Sequence, residues 1–167
     1  MGYNGRIFQE SGDDDSTLDI QDFLGTYDYT LDDKNRLSIP AKYRKVMANL
    51  KQKTFIISMM EDSCLTLYPY SIFRERISEP LKSLPQIDDD TNEIRRAVGL
   101  NTTDVTLDGQ GRIMVPINFC QHAGIEKSVK LIGLSNKIEL WNPENHEKVS
   151  QTPDKKSIKE ELKKYRI

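Results

Sequence analysis

The sequence predicts an α+β fold rich in β-strand, built from two copies of one small unit related by a pseudo-twofold axis. Three observations carry that prediction. The segment Thr30-Leu31-Asp32-Asp33-Lys34-Asn35-Arg36-Leu37-Ser38-Ile39-Pro40 recurs 76 residues later as Thr106-Leu107-Asp108-Gly109-Gln110-Gly111-Arg112-Ile113-Met114-Val115-Pro116, and such self-similarity marks a duplicated unit. Each copy is followed by short apolar runs separated by turn formers, the pattern of β-hairpins. A unit of about 45 residues with three or four short strands is too small to bury a core alone, so the two copies complete each other's.

The elements follow in order. A strand ending near Leu31, or Leu107 in the second copy, leads into a four-residue turn. A second short strand carries Leu37 and Ile39, or Ile113 and Val115, in alternation with Ser38 or Met114. Pro40 and Pro116 sit where a helix starts, at the first helical position, where a missing N–H costs nothing. Tyr43, Val46, Met47 and Leu50 form one apolar face of the first helix. Ile117 and Phe119 begin a shorter one, stopped by Gly124. Hairpins close both units, the first running from Lys53 to Tyr68 with a turn at Glu61-Asp62-Ser63, the second from Ser128 to Trp141 with a turn at Ser135-Asn136. After the first hairpin, Pro69 and Ser71 introduce a helix with Ile72, Phe73 and Ile77 inward, bounded by Pro80 and Pro85. A connecting helix spans Glu93 to Leu100, with Ile94, Ala97 and Val98 on one side.

The chain therefore divides into an acidic, disordered arm (1–22), a first repeat (23–85), the connecting helix (86–102), a second repeat (103–150) and a basic tail (151–167). The arm carries a net charge of −5, residues 154–167 carry +3, and the body between them is neutral. In the tail Ile158, Leu162 and Tyr165 fall at helical spacing. With 37% hydrophobic and 30% charged residues and a mean hydropathy of −0.62, no stretch approaches a membrane span. Residues 1–22 lack the apolar segment of a secretory leader. Two cysteines, Cys64 and Cys120, and two histidines, His122 and His146, form neither a disulfide scaffold nor a zinc ligand set. A cytoplasmic, reduced, metal-free and cofactor-free protein is expected.

The repeated Asp-x-x-x-Arg turn is the candidate site. Asp32 and Asp108 can accept backbone N–H bonds and organise the loop. Arg36 and Arg112 can pair with those carboxylates, or reach phosphate or a guanine edge. Gly111 permits the left-handed region, and Asn35, at the same position of the first copy, is the next most tolerant residue. Basic residues gather around the first turn, with Lys34, Arg36, Lys42, Arg44 and Lys45; around the second only Arg112 remains, because Gln110, Asn118 and Cys120 replace Lys34, Lys42 and Arg44. The first copy is thus expected to supply most of any attraction to phosphate, although Lys42, Arg44 and Lys45 equally suit a solvated helix face. A neutral body binds DNA weakly as one chain, so affinity must come from several chains on repeated sites.

These motifs resemble the MraZ family of bacterial transcriptional regulators, a branch of the SpoVT/AbrB-like proteins. The resemblance runs over residues 23–150, through Phe23-Leu24-Gly25-Thr26-Tyr27, the first Asp-x-x-x-Arg motif, Leu67-Tyr68-Pro69, Arg95-Arg96, the second motif and Ile138-Glu139-Leu140-Trp141. It implies a tandem pair of swapped-hairpin (double-split) β-barrel domains and a homo-oligomeric ring. It also implies sequence-specific binding of double-stranded DNA at short direct repeats upstream of the division and cell-wall gene cluster, on the nucleoid. Lys34, Arg36 and Arg112 become candidate DNA contacts, and Asp32 and Asp108 loop organisers. Asn35 stands where the family has glycine, Gln110 lowers the second loop's charge, and the acidic arm lies outside the family pattern. If the arm competes with DNA for the first-copy basic face, deleting residues 1–22 tightens binding at low salt.

Two rival functions are possible in principle. Catalysis lacks an activated nucleophile or a phosphate-binding loop: His122, at the position of Val46, reads as a core or interface histidine, His146 as a surface one, and Cys64 and Cys120 as packing residues. Asp13-Asp14-Asp15 and Asp88-Asp89-Asp90 lack the remaining ligands of a calcium loop. An antitoxin-like or scaffold protein-interaction module, with the tail as its docking element, is the other alternative.

Overall fold

The computed structural model describes residues 20–150 and 154–167; apart from its last three residues, the acidic arm lies outside the described residues. The architecture is α+β. In the first half, β1 (Thr26–Thr30) and β2 (Arg36–Ser38) flank the first Asp-x-x-x-Arg loop, and α1 (Ala41–Asn49) leads to the hairpin β3 (Thr54–Ser58) and β4 (Leu65–Pro69). In the second half, β5 (Thr102–Thr106), β6 (Arg112–Met114), α5 (Ile117–Ala123), β7 (Ser128–Gly133) and β8 (Ile138–Trp141) repeat that order. Between the halves lie α2 (Tyr70–Phe73), a π-helical stretch Arg74–Ser78, α3 (Glu79–Lys82) and α4 (Asp89–Leu100); α6 (Pro143–Val149) and α7 (Lys155–Lys164) follow.

The two halves trade strands. A six-stranded antiparallel sheet has the order β1-β7-β8-β4-β3-β5, which reads the same from either end when the halves are interchanged. First-half β1 lies on second-half β7, from Thr26 opposite Ile132 to Thr30 opposite Ser128. Second-half β5 lies on first-half β3, from Thr54 opposite Thr106 to Ser58 opposite Thr102. The hairpins meet where Leu65 faces Leu140 and Leu67 faces Ile138. A separate ribbon pairs β2 with β6 about Leu37 and Ile113. One apolar core from both halves fills the interior, including Leu37, Tyr43, Met47, Phe55, Leu65, Ile113, Phe119, Leu131 and Leu140. Burying each large side chain contributes ~1.5–3 kcal/mol, and neither half retains that burial without the other.

Several local expectations change. Pro40 and Pro116 occupy the N-cap, one residue earlier than expected, because their extended ψ of 141° and 144° precedes the first helical residue. Pro80 does not bound its helix. It falls in the first turn of α3, and the preceding residues widen to π-type bonding, with the Glu79 N–H donating to the Arg74 carbonyl. The expected apolar side of α4 is largely uncovered: Ile94 and Ala97 are exposed and Val98 is half-buried. Polar contacts hold that helix instead, the Thr91 hydroxyl donating to the Pro85 carbonyl and the Arg95 guanidinium to the carbonyls of Leu81, Leu84 and Pro85. His122 is not a core residue. Tyr43, Val46 and Met47 face the core on α1, but on α5 the buried set is Phe119, Cys120 and Ala123, and the exposed His122 ring instead meets the Glu61 carbonyl at 2.6 Å. His146 is half-buried, its ring edge-on to Trp141 at 5.3 Å.

Candidate nucleic-acid interface

Both Asp-x-x-x-Arg loops are built alike. The Asn35 N–H closes a turn onto the Asp32 carbonyl at 3.0 Å, and the Gly111 N–H closes its counterpart onto Asp108 at 3.0 Å. Asn35 then takes φ 56° and Gly111 φ 74°, so the left-handed position read from the sequence is occupied in both copies. Asp32 Oδ1 accepts the N–H groups of Lys34 and Arg36, each at 2.9 Å, and Oδ2 accepts Arg36 Nε at 2.6 Å. Asp108 repeats the set with Gln110, Arg112 and Arg112 Nε at 2.8, 3.0 and 2.9 Å. The Arg36 backbone N–H is the main reason that the Asp32 carboxyl lies below its ordinary range; the Arg36 guanidinium and the Lys34 N–H add to it, and together they outweigh the opposing effect of desolvation. Asp108 is lowered for the same reasons, led by the Arg112 N–H.

The β2–β6 ribbon brings the loops together. Reciprocal bonds join them, with the Ile39 N–H donating to the Gly111 carbonyl at 3.0 Å and the Val115 N–H to the Asn35 carbonyl at 2.8 Å. Because side chains alternate along a strand, Leu37 and Ile113 turn into the core while Arg36, Ser38, Arg112 and Met114 share the outer face. Arg36 and Arg112 are diagonal neighbours there, ~7–8 Å apart at Cα. Arg112 Nη1 also lies 3.9 Å from Asp32 Oδ2, across the pseudo-twofold axis. Both arginines are engaged through Nε and stay partly open, with 30% and 23% of their side-chain surfaces exposed.

The remaining expected residues separate. Lys34 is exposed at the tip of the first loop. Lys42 lines an apolar cleft with Leu24, Tyr27 and Lys45. The Nε of Arg44 donates to the Ile39 carbonyl of its own half at 3.1 Å, and from there the side chain extends over the second loop. Its side chain lies so close over Gly111 that a Cβ there would sit 2.5 Å from Arg44 Cδ. At the positions of Gly111 and Arg44, the other half has Asn35 and the buried Cys120, so the copy without the large side chain is the one that carries a Cβ. Two residues that no local motif marks, Lys51 and Lys53, join Arg44, Asp108, Gly109 and Gly111 around a cleft of about 630 Å³. Their approach to the second loop depends on the strand exchange, which holds Leu107 N–H on the Lys53 carbonyl at 2.9 Å.

Cys64 and Cys120 are buried and unpaired; burial pushes the Cys64 thiol up to about 12 and raises that of Cys120. Among the described residues, no three His, Cys, Asp or Glu side chains gather to hold a metal ion, and no helix is long and apolar enough to cross a membrane.

Residues 23–97 and 99–164 match the family described as "MraZ protein, putative antitoxin-like". The chain is 36% identical over 120 residues to the transcriptional regulator MraZ of Thioalkalivibrio sulfidiphilus, covering 72% of this chain and 79% of that protein. It is 37% identical over 122 residues to the protein of the same name from Nitrosospira multiformis, covering 73% and 82%. With that from Leuconostoc mesenteroides it shares 37% identity over 123 residues, covering 74% and 82%.

Proposed function

The chain belongs to the MraZ family, and from that premise we propose that it is a transcriptional regulator that binds double-stranded DNA through its paired Asp-x-x-x-Arg loops. The observation that carries this reading is the β2–β6 ribbon, which presents two carboxylate-braced, partly open arginines on one outer face. A two-stranded ribbon fits the major groove of B-DNA, where guanidinium groups bond guanine edges or the flanking phosphates. Each aspartate fixes the backbone of its loop and the Nε of its arginine, so little side-chain freedom is left to lose on binding. Arg36 and Arg112 are the principal contacts in this reading, Lys34 and Arg44 add cationic charge beside them, and Lys42 adds it further along α1.

The finer reading follows the family. The two SpoVT/AbrB-like repeats, 23–85 and 103–150, form a pair of swapped-hairpin β-barrels joined by 86–102. Several chains close into a ring, which engages short direct repeats in the promoter of the division and cell-wall gene cluster. The regulator works in the cytoplasm on the nucleoid and has no catalytic role. A neutral body makes the ring part of the mechanism, because weak sites on several chains, linked in one assembly, act as one strong site. The exposed Ile158 and Leu162 of α7, with Tyr165 at its C-cap, favour a second, scaffold-like role for the tail.

A gel-shift series on DNA with tandem repeats tests the reading. Binding is expected to fall steeply with salt, and Arg36→Ala is expected to abolish it while light scattering shows the assembly intact. An unfolded Arg36→Ala protein would assign the arginine to the fold. A folded variant that binds as tightly as the parent would overturn the reading.

A further inference from the structure

We propose that Arg44, Lys51 and Lys53 form a seat for a backbone phosphate of double-stranded DNA beside the second Asp-x-x-x-Arg loop, lent to that loop by the first half of the chain. The inference rests on the DNA-binding reading above and reverses the charge assignment that the sequence suggests. Read along the chain, the second loop is the poorer in cations. In the fold, Arg44, Lys51 and Lys53 line one cleft together with Asp108, Gly109 and Gly111.

The comparison between halves is internal to the structure. Leu107 N–H donates to the Lys53 carbonyl, and Leu31 N–H makes the same bond to Lys127, so Lys53 and Lys127 are equivalent. Lys51 and Gly124 are equivalent as the left-handed residues that end α1 and α5, with φ 56° and 64°. The corresponding residues of the second half are Cys120, Gly124 and Lys127, with Glu126 preceding Lys127 in the chain, and the first loop itself offers Asp33 beside Lys34. Around the second loop, Gly109 replaces Asp33, and a Cβ there would meet nothing within 4 Å. Three cations thus face a loop tip that has no exposed acid of its own except Asp108. That carboxylate is already occupied by two backbone N–H groups and by Arg112 Nε.

Lys51 adds an independent pointer. A left-handed helix terminus favours glycine, which the second half uses. The first half keeps a lysine in that strained region, where its side chain reaches the cleft. Strain held at a position that lines a cleft is consistent with selection for binding over stability. Phosphate suits the seat, because a diester oxygen accepts from ammonium and guanidinium donors alike.

The test uses the full chain and fluorescence anisotropy, with one duplex carrying tandem repeats and one scrambled duplex, across a salt series. Lys53→Gln and Lys51→Gly are each expected to weaken binding by the same factor on both duplexes, since phosphate contacts carry no sequence information. Removing one phosphate partner should flatten the log–log salt slope by about 0.9. Lys51→Gly should also raise the thermal midpoint, so that binding and stability move in opposite directions, which a merely structural lysine would not do. A parent that binds, with both variants keeping its affinity and slope, overturns the seat and leaves the DNA reading standing. A parent that binds neither duplex overturns both.

Discussion

Gly111→Ala tests how the two halves fit at the second loop. The new methyl would meet Arg44 Cδ at 2.5 Å and Nε and Nη1 at 2.9 Å, on a backbone held at φ 74°. The left-handed conformation alone costs a residue with a Cβ ~1–2 kcal/mol. Displacing Arg44 forfeits its bond to the Ile39 carbonyl, a net ~0.5–1.5 kcal/mol. Together these give about 1.5–3.5 kcal/mol, which for a chain of this size lowers the thermal midpoint by roughly 3–14 °C. Asn35→Gly is the matching control, because it changes the equivalent residue where no arginine crosses. It should alter stability by no more than about 1 kcal/mol in either direction. Scanning calorimetry on the parent and both variants reads the contrast. If Gly111→Ala loses less than about 0.5 kcal/mol, or if both variants lose equally, the packing of Arg44 on Gly111 does not hold the loop.

Other consequences are as direct. Asp32 and Asp108 have carboxyls lowered in the folded state, so the stability they contribute is present above their ordinary value of 3.8 and drains away as pH falls below it through the folded values; Asp32→Asn with Asp108→Asn should flatten that acid limb in urea titrations. Gly133→Ala would place its Cβ 2.5 Å from the Phe23 carbonyl oxygen, a backbone neighbour that cannot swing aside. It should cost about 3 kcal/mol and loosen Phe23, seen by NMR as weaker cross-peaks from its ring to those of Tyr43 and Phe55. The buried thiols of Cys64 and Cys120, raised by burial, should resist a disulfide reagent in the native protein and react once urea unfolds it; rapid labelling of the folded chain would contradict their packing role.

Much of this structure is legible in the residues themselves. The repeat locates both loops, Asp32 and Asp108 announce their turns, and Asn35 and Gly111 mark the left-handed positions, because each depends on interactions within five residues. The face of Tyr43, Val46 and Met47 is readable for the same reason: it needs only helical spacing and an apolar partner. What escapes is set by partners far along the chain. Local pattern does not say which half a strand joins, so it misses that Arg44 also packs on the second loop and gives no sign of Lys51 and Lys53. His122 shares its repeat position with Val46, yet the buried side of α5 falls on Phe119, Cys120 and Ala123, and the equivalence fails. Pro80 looks like a stop because an α-helix has no place for it, whereas the π-helical stretch ahead of it gives it room.

The exchange of β1 and β5 has an evolutionary corollary. A duplicated gene usually leaves two parts that can drift apart or be lost singly. Here each descendant finishes the other's sheet, so neither can be discarded, and an alteration near one loop is felt at its sibling. Divergence between the copies, such as asparagine against glycine or cysteine against arginine, therefore has to proceed in matched pairs.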